Sequence, residues 1–78
     1  LENGRYREAV EAFSKGLAVD PKHSSSYLGL GQAYQTLGEK EKAIETFKKG
    51  IAVAEERGDM MTQKKMEARL VQLSSEKS

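Results

Sequence analysis

The sequence predicts an all-α fold of antiparallel helix-turn-helix units, on three observations. The first is composition. Charged residues make up 32 % and hydrophobic ones 37 % of the 78 residues, with one Pro, no Trp, three Tyr and two Phe. That balance suits amphipathic helices better than a sandwich or barrel, which draws on β-branched and aromatic residues. The second is spacing, since apolar and small residues recur every three or four positions. The third is an internal repeat of 34 residues, which is sought before any single element because a period fixes the architecture.

Laying residues 4–19 over 38–53 pairs Gly4 with Gly38, Ala9 with Ala43, Glu11 with Glu45, Phe13 with Phe47, Lys15 with Lys49, Gly16 with Gly50, Ala18 with Ala52 and Val19 with Val53. Val10 over Ile44 and Leu17 over Ile51 keep apolar character, while solvent-type positions drift. Selection for packing produces such a pattern.

The elements follow in order. A first helix over roughly 5–19 places Ala9, Val10, Phe13, Gly16 and Leu17 on one face. Gly4 is expected just ahead of it in a turn at positive φ, which glycine adopts without a Cβ penalty. Asp20-Pro21 ends this helix, because the residue before Pro is pushed out of the helical region. A second helix over roughly 24–37 has Ser24 as its expected N-cap and Tyr27, Leu30, Ala33, Tyr34 and Leu37 along one stripe. Gly38 turns the chain into a third helix, roughly 39–57. That helix has Ala54-Glu55-Glu56 where the first copy stops, and so runs on to end at Gly58. Asp59 is expected to cap a fourth helix, roughly 60–74, with Met66, Leu70 and Leu73 on one stripe.

Tyr27-x-x-Leu30-Gly31-x-x-Tyr34, followed by Gly38, Ala43 and Phe47, resembles the tetratricopeptide repeat at its period of 34 residues. The resemblance implies helix pairs stacked into a right-handed superhelix. It divides a single unit of residues 1–78 into the second half of a repeat (1–23), a full repeat (24–58) and a capping helix with tail (59–78). Gly4, Ala9, Phe13, Tyr27, Leu30, Gly31, Tyr34, Gly38, Ala43 and Phe47 become packing positions. Gly16, Gly31, Gly50, Ala9 and Ala43 are expected to supply the small gaps that Phe13, Phe47, Tyr27 and Tyr34 fill. The chain opens on Leu1 rather than Met, and is expected to be the C-terminal piece of a longer repeat protein.

Several classes of function find no support. Thirteen basic against twelve acidic residues leave a net charge of +1, so no bulk field draws nucleic acid or a membrane surface. Lys40, Lys42, Lys48, Lys49, Lys64, Lys65 and Arg69 are interrupted by glutamates and have no interleaved aromatic side chains for base stacking; nucleic acid is not an expected partner. No Cys is present, which excludes disulfides and thiolate chemistry and favours a reducing, cytoplasmic compartment. No apolar run reaches the roughly 20 residues of a membrane span, and no signal peptide pattern opens the chain. The single His23 lies in a turn with no metal-ligand partner at a suitable spacing. Gly29-Leu30-Gly31 falls inside a helix, without the strand a phosphate loop needs. The glutamates read as a solvated face. The sequence therefore predicts no enzyme, no cofactor and no metal.

Protein binding is what the resemblance implies. Tetratricopeptide proteins hold extended peptides or helices on the concave surface of their A helices, where this chain offers Ser25, Leu28, Gln32, Gln35 and Thr36. Leu28, Gly29 and Gln32 stand where chaperone-binding members place a Lys and Asn clamp, so that subclass is not expected. Lys65 and Arg69, four residues apart, offer a place for an acidic side chain. The alternative is self-association: the first helix lacks most of its expected partner, and an oligomer would cover the exposed strip.

Overall fold

The computed structural model describes residues 2–75 as four helices: α1 Glu2–Val19, α2 Ser24–Thr36, α3 Lys40–Arg57 and α4 Met60–Ser75. Leu1 and the tail from residue 76 lie outside the described residues. Among the described residues there is no strand. The chain forms a slab of 35 × 31 × 16 Å. Helix α2 sits at its centre, touching α1, α3 and α4, whereas α1 packs on α2 alone.

Both helix ends that the sequence assigns to glycine close in the same way. Gly38 (φ 81°) follows α2, its N–H donating to Gln35 O at 3.1 Å while Glu39 N–H donates to Tyr34 O at 2.9 Å. Gly58 (φ 73°) follows α3 with the equivalent pair, to Glu55 O at 3.2 Å and from Asp59 to Ala54 O at 2.8 Å. This double bond across a left-handed residue satisfies carbonyls that the helix leaves open. Asp59 then caps α4 as expected: its Oδ1 accepts from Thr62 N–H at 3.3 Å and its carbonyl from Gln63 N–H at 3.0 Å.

Three local expectations are corrected. Gly4 is not in a turn; it lies inside α1, which begins earlier than the repeat alignment implies, and its φ is not positive. Ser24 is not the N-cap of α2. His23 holds that position with an extended backbone, while Ser24 is the first helical residue and is buried. Its hydroxyl donates to Asp59 Oδ2 at 2.6 Å, so the side chain ties two turns together instead of capping its own helix. Gly16 fills no helix contact, because a Cβ built there meets nothing within 4 Å.

The core lies on α3. Ala43, Phe47 and Ala54 are fully buried and join Met66 and Leu73 from α4, with Tyr27 and Tyr34 of α2 packed against them. A Cβ on Gly31 would overlap the Phe47 ring, and one on Gly50 would overlap Met66 Sδ and Tyr27. Absence of side-chain volume at those two positions thus lets the helices approach. Burying one side chain the size of Phe47 contributes about 2–3 kcal/mol. Gly29 does the same for the Phe13 ring, a contact the repeat alignment does not reveal.

Candidate peptide-binding groove

Helices α2 and α4 run side by side with an open groove of about 500 Å³ between them, lined by Leu28 and Gln32 on one wall and Lys65, Ala68, Arg69 and Gln72 on the other. Two of the five residues expected on the binding face therefore line it. Gln35 borders it through Arg69, whose Nη1 donates to Gln35 Oε1 at 3.3 Å. Turned with its oxygen toward the guanidinium, the Gln32 carboxamide accepts from Arg69 Nε at 3.1 Å and Nη2 at 3.3 Å. Ser25 and Thr36 are exposed on α2 but do not line the groove. The Thr36 hydroxyl turns back to donate to Gln32 O at 3.0 Å, which leaves it less available to a ligand.

The bridge from Gln35 to Arg69 spans 34 residues, one full period. Three further links, between the start of α2 and the α3–α4 junction, have nearly the same separation. Arg57 Nη1 donates to Lys22 O at 2.8 Å, Lys22 pairs with Glu56, and Ser24 bonds Asp59. In a stacked array, residues one period apart become lateral neighbours. That rule was the sequence signal able to pair Gln35 with Arg69, and it needed the register to be known first.

Two carboxylates are held as anions by this scaffold. Asp59 sits below its ordinary range because the Ser24 hydroxyl and the Thr62 side chain and N–H bond its charged form, against a smaller opposing effect of burial. Glu39, the N-cap of α3, is lowered by the hydrogen bond from Lys42, which outweighs burial and is helped by Arg7. Its ion pairs are 3.1 Å to Lys42 Nζ and 2.6 Å to Arg7 Nη2. Neither carboxylate lines the groove. Among the described residues no cluster of three His, Cys, Asp or Glu side chains could hold a metal, and no helix is long and apolar enough to cross a membrane.

The sequence profile of the tetratricopeptide repeat matches residues 1–60. This chain belongs to the tetratricopeptide repeat family. Superkiller protein 3 of Saccharomyces cerevisiae is 41 % identical over 51 residues, covering 65 % of this chain and 4 % of the yeast protein. Tetratricopeptide repeat protein 36 of Caenorhabditis elegans is 38 % identical over 53 residues, 68 % of this chain and 30 % of that one. The TPR repeat-containing protein PA0015 of Pseudomonas aeruginosa is 32 % identical over 66 residues, 85 % of this chain and 63 % of its own length. The chain thus spans less than two thirds of the length of each of these relatives. In three dimensions it is similar to a tetratricopeptide repeat domain protein from Salinibacter ruber solved by NMR in solution. The TM-score is 0.86 at 25 % identity, covering 100 % of this chain and 80 % of that one. A crystal structure of a tetratricopeptide repeat domain protein from the same organism gives 0.85 at 25 % identity, covering 96 % and 84 %. Tetratricopeptide folds generally mediate protein–protein interaction and are generally scaffolds without catalysis.

Proposed function

We propose that this chain binds an extended peptide or protein segment in the groove between α2 and α4, with Leu28 and Gln32 as contact residues. The observation that carries the reading is the groove itself. It is open, bordered by the apolar Leu28 and Ala68, and furnished with the amide and cationic groups of Gln32, Gln72, Lys65 and Arg69. Apolar walls with a few convergent polar groups are what a bound backbone and its side chains require. Residues 1–23, 24–58 and 59–78 act on this reading as half repeat, full repeat and cap, and a cytoplasmic location fits a chain without Cys. The test is NMR titration with a peptide array hit. Binding shifts centred on Leu28, Gln32, Ala68 and Gln72, and lost in Leu28→Glu, support the groove; shifts confined to α1 or the α3 side refute it.

A second reading has its own observation. Gly16 meets nothing within 4 Å, whereas its repeat mate Gly50 is wedged between Tyr27 and Met66. The face of α1 around Gly16 and the exposed Ala12 has the small residues of a helix contact without the helix, and self-association of two chains would cover it. A monomeric mass in sedimentation at high concentration removes this reading.

A further inference from the structure

We infer that the groove selects peptides with an internal acidic side chain, whose carboxylate docks on the Arg69 guanidinium beside Lys65. This rests on the reading of the α2–α4 groove as the peptide site, and adds the chemistry of its ligand.

Charge placement is the starting point. Elsewhere three cations meet carboxylates across turns: Arg7 and Lys42 pair with Glu39, and Lys22 pairs with Glu56. Among the described residues Lys65 and Arg69 have no ion pair, although the chain as a whole is almost neutral. Helix α2 contains no acidic residue, and the one carboxylate within Met60–Ser75 of α4, Glu67, accepts from Gln63 Nε2 at 3.1 Å and is not among the groove residues. The groove lining therefore holds two positive charges and no negative one.

Arg69 is also held in place. Gln35 takes one N–H from Nη1, and Gln32, with its carboxamide oxygen turned to the guanidinium, takes those of Nε and Nη2. Both acceptors are neutral, so they orient the fork without neutralising it. Three of the five guanidinium donors are used, which leaves two for a ligand. Orientation matters because a pre-aligned fork loses little side-chain freedom when a carboxylate arrives. A chain lying over Leu28 and Ala68 would shield this pair from water and strengthen a charge-assisted bond.

Position along the groove chooses an internal side chain over a chain end. Lys65 and Gln72 flank Arg69 on the same wall, so the cation lies partway along the groove and a peptide continues past it on both sides.

The experiment uses the full 78-residue chain and a positional library of ten-residue peptides, capped at both ends, read by fluorescence polarisation. Enrichment of Glu or Asp at one interior position is expected. The selected peptide should lose about tenfold in affinity or more when that residue becomes Gln, and again when Arg69→Gln is introduced. Lys65→Gln, at an exposed side chain, should cost about threefold, and affinity should fall as salt rises. Unchanged thermal midpoints in both variants separate lost recognition from lost folding. Three results overturn the inference. One is neutral peptides binding in the groove as tightly as acidic ones, which leaves the groove reading intact. Another is equal loss of acidic and neutral peptides in Arg69→Gln. The third is a requirement for a free C-terminal carboxylate. Failure of every library member to bind overturns both readings together.

Discussion

Helices α1 and α3 descend from one 34-residue pattern, yet the molecule uses them differently. In α3, Phe47 and Ala43 are 0 % exposed, and Gly50 is packed from two sides by Tyr27 and Met66. The matching Phe13 and Ala9 of α1 are only half-buried, Gly16 is open, and Val19 at the end of the helix is 87 % exposed. The difference lies in the neighbours. Helix α3 is clasped between α2 and α4, while α1 rests on α2 alone. Sequence similarity therefore records the site for which a side chain is suited, and the number of adjoining helices decides how much energy it contributes there.

Paired substitutions test that comparison, beginning with the widest contrast. Phe47→Ala should cost about 3–5 kcal/mol and leave the chain largely unfolded, while Phe13→Ala, at a half-buried ring, should cost roughly half as much by urea denaturation. Equal costs would mean that α1 is as well covered as α3. Gly50→Leu should destabilise by about 3 kcal/mol through overpacking. Gly16→Leu, with open space around it, should raise stability by about 0.5–1 kcal/mol as a better helix former. Opposite signs in the two thermal midpoints are the expected result, and a loss at both positions would break the contrast. Ala43→Leu should cost about 1–3 kcal/mol, with Ala9→Leu well below it. Unchanged melting of Ala43→Leu would count against the close helix approach at that position.

The smallest expected effect is a pH dependence. Asp59 has a lowered folded-state pKa, so the stability it supplies is present above the ordinary carboxylate range and is lost as pH falls through that range toward the folded value. Ser24→Ala removes the leading cause of the shift. Its midpoint should be lower near neutrality and should converge on that of the parent chain in acid, when both are followed by circular dichroism. A constant gap across the acid limb would place the role of Ser24 elsewhere.

Much of the fold was legible because helix spacing and the 34-residue period are local properties of the chain. The ends at Arg57 and Gly58 and the cap at Asp59 followed from residue chemistry alone. What failed was copying a backbone from one repeat to the other. Gly38 must turn the chain between α2 and α3, whereas Gly4 has a helical neighbour on either side and no turn to make. Ser24 has the right chemistry for a cap, but it stands one residue inside the helix that follows His23, and its hydroxyl donates to the Asp59 carboxylate across to the next repeat. Of the expected binding residues, Leu28 and Gln32 line the groove, while Ser25 and Thr36 stand off it. Periodicity selects a helix face, but the width of a groove depends on where the next helix lies. The grip of Gln32 and Gln35 on Arg69 was hidden for that reason.

The extra turn at the end of α3, absent from α1, has a mechanical consequence. Residues 54–57 carry the helix past the point where its repeat mate stops, far enough for Glu56 and Arg57 to hold Lys22, while Asp59 holds Ser24. These bonds strap the turn before α2 to the turn before α4, and so fix the offset between the two walls of the groove at one end. Such a strut works like one jaw of a vice. It opposes splaying or sliding of α2 against α4 at that end, and on the proposed reading a ligand meets a gap whose spacing it need not set itself.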